Sequence, residues 1–158
     1  MSEFNVQGLD GLLDRLKNLP KEISGKAGGP VKLALKKGAE LIAAESKQTL
    51  QQSIDVPNAD GTISNSTGFL KNSIIVKRST KPPRGVAEKV SVRVKRGKTP
   101  DGTSVTAYGK YIEFGTAKMK ALPWLRPAFE NKKQPALDLI VSALRTAILK
   151  AEKKVNKK

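Results

Sequence analysis

The chain has 158 residues, with 30 Lys and Arg against 14 Asp and Glu, a formal net charge of +16. It holds no Cys and no His, which excludes disulfides, thiolate metal sites, cysteine nucleophiles, histidine general bases and Ser-His-Asp triads. Carboxylates, lysines and hydroxyls are all that remain for catalysis, so a basic binding or structural protein is expected rather than an enzyme.

A domain of this length buries ~70% of its unfolded surface. Hydrophobic content of 38% with 4% aromatics is thin for a rigid monomer, yet above that of a disordered chain, so partners are expected to supply part of the stability. The opening Met1-Ser2-Glu3-Phe4 has neither the basic nor the apolar region of a secretion signal, and no apolar run is long enough to span a membrane. The charge is uneven. Residues 1–30 and 31–70 are each balanced, with four basic and four acidic groups apiece. Residues 71–100 carry ten basic groups and one acid, Glu88, and residues 131–158 carry eight basic groups and two acids. Two local concentrations read as two surfaces with jobs or neighbours, not as a general nucleic-acid coat.

Taken in order, Leu9, Leu12, Leu13, Leu16 and Leu19 follow helical spacing and predict a short amphipathic helix over 8–19, stopped by Pro20. Glycines at 25, 28 and 29 loosen the chain. Pro30 fits the first turn of a second, long helix over 30–52, with Leu35, Ile42, Ser46 and Thr49 along one face. Residues 53–68 are rich in turn formers and predict a long loop. Residues 73–79, β-branched at the centre, and residues 86–95, with Val90, Val92 and Val94 alternating against Lys89, Ser91, Arg93 and Lys95, predict an antiparallel hairpin with a basic outer face. Residues 105–114 read as strand or short helix. Residues 115–122 read as a loop. From Pro127 the chain turns helical, with Leu137, Ile140, Val141, Leu144 and Ile148 as its apolar stripe, and Pro135 is expected to kink or restart that helix. The five lysines from 150 to 158 read as a fraying tail.

No catalytic constellation emerges. Glu113 lies between Ile112 and Phe114. One reading is a carboxylate with a raised pKa. The other, preferred because no second carboxylate is near in sequence, is a structural partner for Arg126. Asp55, Asp60 and Asp101 lie in turns without metal-ligand spacing. Gly97-Lys98-Thr99 lacks the first glycine of a phosphate loop, since Val92 stands there. No cofactor, metal or small-molecule substrate is expected. Lys89, Arg93 and Lys95 stand about 6.6 Å apart where two residues separate them, near phosphate spacing. No aromatic is interleaved for base stacking, so this face either meets phosphate backbone or faces solvent or an acidic neighbour.

The stretch Y-G-K-Y-I-E-F-G-T, followed by A-L-P-W-L-R-P-A-F-E, resembles the signature of a phage tail-component family, the gene-product-ten-like neck and tail-completion proteins of HK-type lambdoid phages. The matching positions are Tyr111, Glu113, Phe114, Gly115, Thr116, Pro123, Trp124, Arg126, Pro127 and Ala128. A second feature is T-G-x-L-x-x-S at Thr67, Gly68, Leu70 and Ser73. Leu122 departs from the pattern, standing where the family often has a polar residue, as does Pro135 within the last helix. The resemblance implies an α+β domain, a small antiparallel sheet packed by a long N-terminal helix and a C-terminal helix. It is expected as one unit over 1–158, with helix and linker to 29, core 30–149 and a basic flexible tail over 150–158. It further implies a virion protein at the head–tail junction, assembled in the bacterial host cytoplasm. Its subunits would form a ring through which DNA passes, and its partners would be other copies of itself and the neighbouring head-connector and tail proteins. Within it, Gly115-Thr116 permits a sharp turn. Pro123 and Pro127 bracket Trp124 and are expected to present it as an exposed hot spot between subunits; alternatively Trp124 and Phe129 fill the domain's own core. Tyr111, Phe114, Leu125 and Phe129 are the companion candidates for core or subunit contact. Glu113 and Arg126 are expected to form an ion pair, and Lys89, Arg93 and Lys95 to face the DNA channel or an acidic neighbour. The competing expectation is a basic cytosolic nucleic-acid-binding module using the same hairpin.

Overall fold

Pro30, with φ already preset and no N–H to satisfy, starts the helix that organises the fold. The computed structural model describes residues 29–54, 68–81, 84, 88–99, 102–117 and 119–155. The helix expected over 8–19, Thr67 and most of the loop expected over 53–68 lie outside the described residues. In chain order the elements are α1 (Gly29–Ile54), α2 (Phe69–Ser73), β1 (Ile74–Arg78), β2 (Val90–Val94), α3 (Val105–Phe114) and α4 (Leu125–Val155). The fold is α+β and mostly helical. Two antiparallel strands form its sheet, with Ile74 opposite Val94 and Val76 opposite Val92.

Two long helices frame this sheet. At 26 and 31 residues, α1 and α4 are about 39 and 46 Å long. They run antiparallel, because Ala34 near the start of α1 packs with Leu144 and Ile148 near the end of α4. The buried line on α1 is Ala34, Gly38, Ala43, Ser46 and Leu50. Leu35, Ile42 and Thr49, expected on that face, are half-buried beside it. The displacement follows from size, since small residues let two backbones approach where larger ones would hold them apart. At Gly38 an added Cβ would lie 2.6 Å from the Ile140 side chain and 3.1 Å from the Ala136 carbonyl oxygen. Ser46 enters this seam without an orphaned hydroxyl, because its Oγ donates to the Ile42 carbonyl (2.8 Å).

A second cluster lies at the other end of α1. Ala43 and Leu50 meet Leu70, Ile74, Val105, Ile112 and Trp124, with Val76, Val92 and Val94 of the sheet packed against them. Residues 105–114, open between strand and helix in the sequence, are helix: Val105, Gly109, Ile112 and Glu113 are its buried residues, an i, i+4, i+7, i+8 stripe. The last helix differs from expectation at both ends, and it does not restart at Pro135. It begins at Leu125, two residues before Pro127, and runs unbroken through Pro135 to Val155, well into the stretch read as a tail. Pro135 and Asn131 are both exposed, so the Asn131 carbonyl freed by the missing proline N–H faces water. Lys and Ala, strong helix formers, carry the helix on.

Gly38→Leu is therefore expected to lower unfolding free energy by about 1–3 kcal/mol through overpacking of the α1–α4 seam. The urea midpoint would fall at unchanged slope. Lys37→Leu, on the exposed side, should change it by less than about 0.5 kcal/mol.

Candidate functional site

The segment that resembles the family signature folds as a clasp between α3 and α4. Gly115 ends α3 at φ 75°, ψ −179°, a region open essentially only to glycine. A Cβ there would stand 2.8 Å from both the Ala121 nitrogen and the Met119 carbonyl oxygen. The chain then doubles back. Thr116 N–H donates to the Met119 carbonyl (2.9 Å) and Leu122 N–H to the Ile112 carbonyl (2.8 Å). This return brings the start of α4 onto the end of α3.

There Glu113 receives it. Its Oε2 accepts from the backbone N–H groups of Trp124 and Leu125, each at 2.8 Å, and its Oε1 from that of Arg126 at 3.2 Å. Residues 121–124 offer no Ser, Thr, Asp or Asn as a local cap, so a carboxylate from another helix satisfies the first turn of α4 and meets the positive end of its dipole. The Arg126 guanidinium lies 3.3 Å from Oε1 and 5.0 Å from the Phe114 ring centroid. Burial alone would push the Glu113 carboxyl up. The N–H groups of Leu125, Trp124 and Arg126, and then the Arg126 side chain, outweigh it and hold it below the usual carboxylate range. The raised-pKa acid considered for this position is thereby replaced by a capping group that is ionised at neutral pH.

Trp124 is not the exposed anchor that its flanking prolines suggest. It is 3% exposed, within the core, and its Nε1 donates to the Gly109 carbonyl (3.2 Å). A large aromatic next to a helix start buries more surface inward than any loop could offer it outward. Phe129 does the reverse of filling the core, standing 48% exposed. Phe114 and Tyr111 are exposed at 65% and 47%, Leu125 is half-buried, and Ala128 is fully buried. Thr116 and Pro123 are exposed on the returning loop. In the second signature stretch Gly68 adopts a left-handed conformation before α2, and Leu70 enters the core.

On the sheet, Val92 and Val94 pack inward, while Lys77 and Arg93 on β-positions and Lys89 and Lys95 beside them are exposed. Glu88, the one acid of residues 71–100, is neutralised by Arg78, with Arg78 Nε donating to its Oε2 (2.8 Å) and holding its carboxyl below the usual range. The outer face therefore keeps its positive charge. No helix among the described residues is long and apolar enough to cross a membrane. Sequence reasoning linked Glu113 only to Arg126 and missed the three backbone donors. The available signal was the lack of any capping side chain before a helix start.

A carboxylate whose folded pKa lies below its unfolded value stabilises the fold above that unfolded value, and the contribution fades as pH falls through the folded pKa. Glu113→Gln should thus lower unfolding free energy at pH 7 by about 1.5–3 kcal/mol, and the gap to wild type should shrink below pH ~4.3. Arg126→Ala, whose side chain is 68% exposed, should cost no more than about 1 kcal/mol. Urea unfolding of the three proteins at pH 7 and at pH 3 checks both.

No curated protein and no solved structure matches the chain. A family model does, over residues 10–115. The match takes in Gly68, Leu70, Ser73, Tyr111, Glu113, Phe114 and Gly115, while Trp124 and the capped helix start lie beyond it. Its description is "Bacteriophage HK97-gp10, putative tail-component". With two-thirds of its length matched, from Asp10 through the Glu113–Phe114–Gly115 turn, the chain belongs to the HK97-gp10-like family of phage tail components.

Proposed function

We propose that this tail component is the subunit of a closed homo-oligomeric ring at the head–tail junction, joining or completing the tail around the path of the DNA. The work is assembly, and no step of it is chemical. The observation that carries the reading is the pair of surfaces that one copy leaves uncovered. Phe114, Tyr111 and Phe129 form an exposed aromatic set around the clasp, of the kind that anchors subunit contacts. The outer face of the sheet, with Lys77, Lys89, Arg93 and Lys95, is basic. A head-to-tail contact between copies whose rotation closes makes a ring, and a basic face turned inward would line a passage for DNA. The neighbours in that setting are head-connector and tail proteins.

Electron microscopy and native mass spectrometry of the purified protein, alone and with connector and tail proteins, test this. Discrete ring-shaped oligomers are expected, with Phe114→Asp weakening them at least tenfold. A chain that stays monomeric at high concentration in every mixture overturns the reading. If instead the monomer binds DNA with affinity falling along a log–log salt slope near −0.9 per phosphate contacted, the basic face serves a nucleic-acid-binding module.

A further inference from the structure

The sheet has two strands, so one edge of β2 is open. The hydrogen-bond register says which groups line it. Lys95 N–H donates to the Ser73 carbonyl (2.7 Å) and Ser79 N–H to the Lys89 carbonyl (2.8 Å). With Ile75 opposite Arg93 and Lys77 opposite Ser91, residues 89, 91, 93 and 95 turn their backbone groups toward β1. Val90, Val92 and Val94 turn theirs to the outer edge, where they pair with no described residue. The same edge borders a cavity of about 580 Å³. Val92, Arg93 and Val94 all line it, although successive side chains point to opposite faces, so it runs along the strand's edge and not over one face. Its far wall is Gly109, Phe114 and Trp124. A strand laid against β2 would satisfy the three valines' backbone groups and send alternate side chains into an apolar space.

The rim of that cavity restricts what can enter. Arg93, Arg96 and Lys110 line it, and none of the three makes an ion pair among the described residues. An incoming strand must therefore be acidic or neutral, which most of this chain is not. Two long stretches qualify by charge, 1–14 and 48–70. The second is tied at its ends into α1 and α2 and carries Pro57, which cannot donate to a ladder, so the first is the better strand. Residues 1–14 contain Glu3, Asp10 and Asp14 and no Lys or Arg. Within them Phe4 and Val6 alternate with Asn5 and Gln7, apolar residues at the spacing that a strand presents to one face. Even with the helix expected over 8–19, residues 8–28 could span up to ~50 Å, beyond the ~39 Å length of α1, so the segment reaches past its own chain.

From these observations we infer that residues 3–7 of one copy add as a strand to the open β2 edge of the next, with Phe4 and Val6 seated against Trp124 and Gly109. The inference rests on the ring reading and supplies its joint. Each copy gives one arm and receives one, a heterologous contact that makes a ring where the rotation between copies closes.

Native mass spectrometry of full-length chains tests it. Val92→Pro removes an outward N–H and leaves the bonds to β1 intact, giving a copy with an arm and no edge. Phe4→Asp with Val6→Asp gives a copy with an edge and no arm. Each alone should lose the ring species at least tenfold relative to wild type. Mixed, the two should form a one-to-one pair and nothing larger. A synthetic peptide of residues 2–9 guards against a folding defect in the proline variant: added in excess it should dissociate wild-type rings, while the same peptide with Asp at 4 and 6 should not. Wild-type rings that survive the peptide and both variants overturn the inference and leave the ring reading standing. A wild type without rings overturns both. A monomeric wild type beside an arm-variant that binds the peptide means that each arm occupies its own edge, and also overturns it.

Discussion

The carboxylate of Glu113 at the start of α4 is the interaction on which the remaining geometry depends. A helix about 46 Å long begins here with no capping side chain of its own. Its first N–H groups point at a buried anion brought by a different helix. Burying a charge is costly unless its lone pairs are filled, and three backbone donors fill them. The exposed Arg126 adds little, because solvent screens it. The bond also works as a positional constraint. It fixes the end of α3 against the start of α4 to within a hydrogen-bond length, and only the Gly115 turn makes the return short enough. Trp124, held between Gly109 and this start, becomes the wall of both the core and the cavity beside β2.

The small-residue seam of α1 and α4 performs the complementary task at the other end. A two-stranded sheet is marginal by itself, and here it is held from one side by the second half of α1 through Ala43 and Leu50. The first half of α1 needs α4 in turn, and Gly38 sets how near the two axes come. The sheet therefore has one apolar face covered by the helices, one face exposed, and a β2 edge that pairs with no described residue. The charge of residues 71–100 falls on what is left uncovered. With Glu88 consumed by Arg78, nothing on the strands offsets Lys77, Lys89, Arg93 and Lys95, and like charges on a low-dielectric support add to a focused field.

Most of this order was legible from periodicity. The valine alternation over 90–94 and the leucine–isoleucine stripe of the last helix point to their elements directly, because burial on one face is imposed by neighbours along the same segment. What periodicity could not supply were the facts fixed between segments. Residues 105–114 read equally as strand or helix, since Tyr108, Tyr111 and Phe114 are exposed and carry no pattern, and the helical stripe depends on Gly109 and Glu113 being buried. On α1 Ser46 is buried as expected, while the rest of the buried line is offset from Leu35, Ile42 and Thr49 for a related reason: bulk marks a buried face against a roomy core, but smallness marks it against another helix. Pro135 does not restart the helix, because a proline on the solvent side of a long helix leaves its orphaned carbonyl to water. The family signature was informative where it marked backbone necessity, as at Gly115, and misleading where it marked an aromatic, because bracketing prolines fix the direction of the chain and not that of the ring.

Open strand edges invite unwanted pairing, and charged side chains along them are a common protection. In this chain Arg93, Arg96 and Lys110 surround the β2 edge, so two such edges repel when they meet. This guards a protein of net charge +16 against random edge-to-edge association, and it also filters what may dock. A basic strand is rejected by the rim and a polar one gains nothing from the apolar cavity, whereas a segment that alternates apolar residues and carries acids satisfies both. The selectivity comes from two independent features, charge outside and shape inside. Removing the cations should loosen specificity before affinity, because the backbone hydrogen bonds and the apolar seat would remain while the barrier to like-charged strands would be gone.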